Sequence, residues 1–346
     1  MKNPDRRSFL AGVAAVGALG VSGCLGGGGG PEWTAEVGSV GPLSAGPVES
    51  GNNYAVYAGT EDALYAIDEG GETVWTYEEF DGAFDHAPTR HPRQLCIGAS
   101  DGVHAVGWGG EQLWAYTDVS GASGRPAVVE EGVFAVAGGA LHVLDFETGT
   151  RRDRVEVPFE GSAWTGVAGD SLLLAGEERL VAVSRDDHTE RWTHPLQLGT
   201  LPAVFGSNVA VASRREGGLA VLDLSDGTTA WTGIQSGGLR TPYFHQTLGE
   251  LCVTDAASKR VARYTSEGER QWVVIVEDAG SLSRPSRGPA GVFVVDHDAG
   301  RLYTLSAPDG DVSAEHSVGP AANHAPLAEV DYVYAPTTEG VAAVEI

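Results

Sequence analysis

The feature that most limits what this chain can become is a unit that recurs roughly every 40 residues from Pro31 to the C-terminus. Its clearest copy runs over 59–77, G-T-E-D-A-L-Y-A-I-D-E-G-G-E-T-V-W-T-Y: a tight turn, an alternating strand, a Gly-bearing turn and a strand opened by Trp. A proline opens most copies, at Pro47, Pro88, Pro126, Pro202, Pro242, Pro285 and Pro326, with Thr165-Gly166 at the matching place in the copy that lacks one. Units of this length with four short strands each predict an all-β ring, a β-propeller. The strands, lettered a to d outward from the axis, follow from the pattern. Strand a follows the proline, strand b falls at 54–58, 95–98, 251–254 and 292–295, and strand c at 64–68, 141–145 and 219–223. The turns between b and c carry Asp, Gly or Ser, as tight hairpins require. Trp75, Trp114, Trp192, Trp231 and Trp272 mark strand d, and two units lack the Trp, near Val155 and Ala314.

The eighth unit stops at Ile346 after three strands. Glu32-Trp33-Thr34-Ala35 matches Trp75-Thr76-Tyr77 and Trp192-Thr193-His194, so the N-terminal strand is expected to supply the missing strand d. That closes an eight-bladed ring with no open edge. In such a ring the repeated Trp is a packing residue wedged between adjacent blades.

Residues 1–23 read as an address rather than as structure. Asp5-Arg6-Arg7-Ser8-Phe9-Leu10 resembles the twin-arginine export signal, and the apolar run after it, broken by Gly12, Gly17 and Gly20, is short for a permanent span. Val21-Ser22-Gly23-Cys24 resembles a lipobox, whose Cys becomes the lipidated first residue; the other reading is an anchor helix with an incidental Cys. Residues 24–31 are then a lipid-modified Cys24 and a flexible tether, since the glycines at 26–30 have no strand before them and no helix after, as a phosphate cradle would need. Residues 32–346 are the propeller. The expected location is the outer face of the cytoplasmic membrane.

The motif A-x-D-x-x-T-G-x-x-x-W, seen in part at Ala66-Ile67-Asp68 with Trp75, at Leu222-Asp223-Leu224-Ser225-Asp226-Gly227 with Trp231, and at Asp145-Phe146-Glu147-Thr148-Gly149, resembles the repeat of pyrroloquinoline-quinone-like propellers. The resemblance covers 32–346. It implies two kinds of function: quinoprotein dehydrogenases, and lipid-anchored assembly scaffolds of the BamB-like branch. The dehydrogenase branch carries a vicinal Cys pair above its cofactor and a calcium or lanthanide ion held by Glu and Asn near a catalytic Asp. Here Cys96 and Cys252 fall in strand b of units two and six, opposite each other in the ring, where a disulfide's Cα limit of about 7 Å cannot be met. They read as small buried apolar residues. The expectation is a non-enzymatic chain with neither cofactor nor metal, binding a protein or peptide partner; a quinone-dependent dehydrogenase and a polysaccharide-binding propeller are the alternatives.

Charge narrows the partners. The formal net charge is −25, and only two of the 22 basic residues, Lys2 and Lys259, are lysines. This argues against nucleic acid as a partner. It resembles the surfaces of extreme halophiles such as haloarchaea, where salt screens the self-repulsion; the other reading is an acidic secreted protein. Two local motifs look chemical and fall on b–c hairpins. Gly98-Ala99-Ser100-Asp101-Gly102 matches G-x-S-x-G without the strand-to-helix turn of a nucleophile elbow. Asp296-His297-Asp298-Ala299-Gly300 begins like a calcium loop but lacks its later acidic ligands.

The positions just ahead of strand a are the candidate site, because the d–a loops deliver them to one mouth of the channel. They hold Asp85-His86, Gly124-Arg125, Trp164, Arg240, Arg284 and Asn323-His324. Three arginines and two histidines there reverse the sign of the chain locally. They are suited to an anionic group, a carboxylate-bearing peptide or glycan, with Arg giving bidentate contacts and Trp164 stacking on it. The alternative is that the arginines pair with acidic residues of neighbouring loops, such as Asp85 or Asp278. His86 and His324 lie two blades apart, too far to share a metal.

Overall fold

The computed structural model describes residues 29–48, 54–82, 86–119, 124–158, 163–197 and 200–346. The export signal, Cys24 and most of the tether lie outside them, as does Asp85. The described chain forms eight four-stranded antiparallel sheets arranged as the blades of a ring. Blades 1 to 7 span 44–77, 89–116, 127–156, 164–195, 203–235, 243–275 and 286–317. Blade 8 combines 327–345 with the N-terminal strand Trp33–Glu36.

Burial explains the sequence pattern strand by strand. Strands b and c pack against both neighbouring blades, so they are apolar on both faces: Leu172, Leu173 and Leu174 are each fully buried, and so are Leu180, Val181 and Ala182. Strand d has one face in water and therefore alternates, as in Gln112–Tyr116, where Trp114 and Tyr116 are buried and Gln112, Leu113 and Ala115 are exposed.

The closing strand sits in the repeat register. Trp33 lies opposite Ala343, as Trp75 lies opposite Ala66 and Trp114 opposite Ala105. Gly340 makes this possible, for a Cβ there would stand 1.8 Å from the Ala35 carbonyl oxygen. The Ser317 N–H also donates to the Gly29 carbonyl at 3.3 Å, tying the start of the described chain to blade 7.

Adjacent blades are joined by one repeated contact. In five of the six strand-d Trp residues the indole N–H donates to the first carbonyl of the next blade's c–d turn, at 2.7–2.9 Å: Trp33 to Glu69, Trp75 to Trp108, Trp114 to Phe146, Trp192 to Leu224 and Trp272 to Ala307; the Trp231 N–H makes no such bond among the described residues. The ring of each Trp lies on the Gly that ends that turn. Gly71, Gly110, Gly149, Gly227, Gly268 and Gly310 all have positive φ, and a Cβ on any of them would come within 2.8 Å of the Trp. Left-handed backbone and the absent side chain are thus required together.

Two departures from the expected register have local causes. The unit without Trp at strand d of blade 3 places Asp153, rather than Val155, at the tryptophan's position, paired with Val143. The next blade answers with His188 where the others have Gly, at φ 58°. Its Nδ1 stands 3.4 Å from the Asp153 carboxylate, filling the space an indole would take. Blade 7 carries Ala314 at the same position, and blade 8 has no c–d turn for a Trp to meet, because its strand d comes from the other end of the chain. In blade 1, Pro47 closes strand a (Ser44–Pro47) instead of opening it; Leu43, just ahead of that strand, occupies the place held elsewhere by the blade-opening Pro.

Candidate functional site

The d–a loops and the b–c hairpins meet on one face of the ring. Backbone bonds from Ser100 to Asp81, Ala256 to Gly238, His297 to Ser281 and Thr338 to Pro320 join each hairpin to the loop ahead of it. Buried carboxylates reinforce the join. Asp296, wholly buried, accepts from the backbone N–H groups of Gly280, Ser281 and Asp298. The Asp296-His297-Asp298 sequence is therefore a loop staple, and among the described residues no three acidic, His or Cys side chains converge on a cation position. Ser100 of the G-x-S-x-G match sits in the hairpin between Gln94–Ala99 and Gly102–Val106, as its turn reading implies.

Arg125 and Arg284 occupy the same repeat position, immediately before the proline that opens strand a, on blades 3 and 7. Those blades are four apart in a ring of eight, so the two side chains face each other across the channel. The Arg125 Nε donates to Thr89 Oγ1 of blade 2 at 3.1 Å, and the Arg125 carbonyl accepts from the Thr165 N–H. Arg284 makes no side-chain hydrogen bond or ion pair among the described residues. Neither arginine is paired with Asp278 or with any other described carboxylate. Burial, and then the charge of Arg284, bring the Arg125 guanidinium down to about 10. Burial alone lowers Arg284.

The remaining expected residues are placed differently. Arg240 lies one residue ahead of the repeat position and turns sideways, its Nε 3.3 Å from the Leu282 carbonyl and its Nη2 3.4 Å from Ser281 Oγ; it fastens blade 6 to the loop of blade 7. Trp164 starts strand a of blade 4 rather than preceding it, is only 8% exposed, and packs among Leu173, Ala175, Leu201 and Val204. It offers no open face to a sugar or peptide. His86 and His324 are partly buried on blades 2 and 8, each engaged with neighbouring groups.

One mouth residue escapes the sequence pattern. His297, in the b–c hairpin of blade 7, comes beside Arg240, and neither of its ring nitrogens makes a hydrogen bond of sound geometry. Burial first, then the Arg240 charge, lower its pKa. The signal was present in Asp-His-Asp, but only the contact between hairpin and loop brings that His to the mouth.

The two described cysteines do not form the vicinal pair of quinone-dependent dehydrogenases. Cys96 and Cys252 are free, fully buried and on blades 2 and 6, and burial pushes both thiols up to about 12. They supply no vicinal pair above a channel ligand.

The family model described as outer membrane protein assembly factor BamB matches residues 21–166 and 176–346. No curated protein matches the sequence. Solved structures do. The computationally designed Ika8 protein is 15% identical with a TM-score of 0.73, over 93% of this chain and 100% of that one. BamB from Moraxella catarrhalis is 16% identical with a TM-score of 0.64, over 87% and 95%. Sqt1 from Saccharomyces cerevisiae is 13% identical with a TM-score of 0.67, over 92% and 99%. At these identities the likeness is one of fold.

Proposed function

Since the chain belongs to the family described as outer membrane protein assembly factor BamB, we propose that it is a non-catalytic scaffold that binds a protein partner at the mouth of its channel. The observation that carries this reading is the Arg125–Arg284 pair, two cations without a described carboxylate on a chain of net charge −25. A partner presenting negative charge there replaces mutual repulsion by attraction. In this reading the scaffold is exported by the twin-arginine route and held by lipid on Cys24 at the outer face of the cytoplasmic membrane.

Crosslinking on intact cells, followed by recovery of the tagged full chain, tests the scaffold. Replacing Arg125, Arg240 and Arg284 together by Gln should abolish recovery of the bound protein while the far-ultraviolet dichroism stays that of the parent. Unchanged recovery would remove the mouth from consideration. The anchor is tested separately: Cys24→Ser should move the protein from the membrane fraction to the medium, and retention in the membrane would refute lipidation. The dehydrogenase alternative predicts dye reduction with alcohols or aldoses after the quinone and calcium are added; no turnover is expected.

A further inference from the structure

We propose that the Arg125–Arg284 pair is a carboxylate site, so that the group the partner inserts into the channel mouth is a carboxylate. The inference deepens the scaffold reading and depends on it for the identity of the bearer.

The first argument is symmetry. The two residues hold one repeat position on opposed blades, so a half-turn about the ring axis interchanges them. An anion on or near that axis meets a guanidinium from either side. A fork of donors on each side matches the planar geometry of a carboxylate.

The second argument is what the same chain does elsewhere with two crowded arginines. On blades 6 and 7, Arg263 and Arg287 are buried, at 8% and 5% exposed. Glu250 stands between them, its two oxygens 2.6 Å from Arg263 Nη1 and 2.7 Å from Arg287 Nε. One carboxylate bridging two guanidinium groups is thus the arrangement this fold uses where the bridge is internal. At the mouth the two guanidinium groups are present and no described residue supplies the bridge.

The third argument is the set of neighbouring hydroxyls. Thr165, whose N–H holds the Arg125 carbonyl, and Ser286, two residues after Arg284, are 2% and 4% exposed. Neither Oγ finds a protein hydrogen-bond partner among the described residues. Polar groups with unused capacity therefore accompany both arginines. Burial also weakens competition from water, which favours a charged ligand over exposed surface arginines.

The test uses the full chain with sodium succinate, and separately a hexaglutamate peptide, each against sodium chloride at equal ionic strength. Succinate at about ten times its Kd should raise the thermal midpoint by roughly 2–4 °C over chloride. Arg125→Gln/Arg284→Gln should lose that increment while melting in chloride no lower than the parent, since the change removes a repulsion. A response to both probes identifies a site open to free carboxylates. A response to the peptide alone identifies one that requires a polypeptide bearer. No response to either probe, or an equal response in the double variant, overturns the site. The two readings fail separately: a succinate response without a crosslinked partner sinks the scaffold and keeps the site, and a partner recovered equally by the double variant, with no succinate response, does the reverse.

Discussion

His142 shows how a buried side chain can make the fold sensitive to acid. It lies in strand c of blade 3, 4% exposed, with its Nδ1 3.1 Å from the Tyr116 hydroxyl of blade 2 and its Nε2 3.3 Å from the Ala137 carbonyl. The neutral ring with its proton on Nε2 satisfies both neighbours; the charged ring would turn a donor toward the tyrosine. Burial, followed by the charges of Arg154 and Arg151, lowers its pKa, against a raising influence from Ala137 and Asp118. His194, 1% exposed, moves the same way, burial outweighing the pull of Glu216. A histidine whose folded pKa lies below its unfolded value of about 6.5 takes up its proton first in the unfolded chain. Stability is then full above that pH and falls as the pH drops from about 6.5 toward the folded pKa. The urea midpoint should therefore be flat from pH 8 to 7 and decline from about pH 6.5, ahead of carboxylate protonation. His142→Gln, whose amide can still accept from Tyr116, should make that decline shallower, the remainder belonging to His194. A midpoint that holds to pH 5 would show that these rings do not control the acid transition.

Between blades, the unit of construction is a Trp on one strand d and a Gly in the next turn, and the exception tests the rule. Blade 3 has Asp153 in the Trp position and blade 4 has His188 in the Gly position. Asp153→Trp alone should destabilise, because the indole would meet the imidazole. His188→Gly alone should also destabilise: the backbone strain is relieved, but Asp153 loses its neighbour and a cleft opens. Together they restore the repeat pair, so the double variant should be more stable than the two single losses predict. The coupling should fall in the range of about 1–3 kcal/mol for contacting residues. Denaturant unfolding of the four proteins measures it, and additive losses would mean that the Trp–Gly contact is not the joint between blades. This part of the fold was largely legible in the sequence, because a period, a missing Trp and a stray N-terminal Trp33 are all local patterns. The exchange at Asp153 was misplaced by two residues for a physical reason. A bulge in each c–d pairing shifts the register ahead of the Trp position, and spacing alone does not reveal it. The site was legible only in part. Arg125 and Arg284 were found from the proline register, but their opposition depends on the closed count of eight. The proline register places Trp164 in the loop, whereas strand a of blade 4 begins two residues earlier than that register suggests. His297 reaches the mouth only through the hairpin-to-loop contact of a neighbouring segment.

At the scale of the whole ring, the dominant electrostatic fact is the charge of −25 spread over 346 residues. Local pairing offsets it only modestly. Arg93–Glu147, Arg154–Glu156, Arg214–Glu178 and Arg301–Glu315 are ion pairs between well-exposed side chains, and pairs of that kind contribute about 0–1 kcal/mol each. Added salt screens attractions and repulsions alike, so the sign of its effect reports which is larger. Short-range pairs lose a little when the Debye length falls from about 10 Å at 0.1 M to about 3 Å at 1 M. The long-range repulsion among the excess carboxylates loses nearly everything, because its mean separations exceed both lengths' shorter limit. Blade closure sharpens the effect, since the ring is held at Trp33–Glu36 by a single four-residue strand that unfavourable charge can peel away. The thermal midpoint should therefore rise steadily as potassium chloride goes from 0.1 to 2 M. Charge-reversing substitutions of exposed Asp and Glu should reduce the slope in proportion to the charge removed. Were the midpoint to fall with salt, the exposed pairs would outweigh the net charge, and the acidic surface would be a feature of solubility rather than a condition on which stability depends.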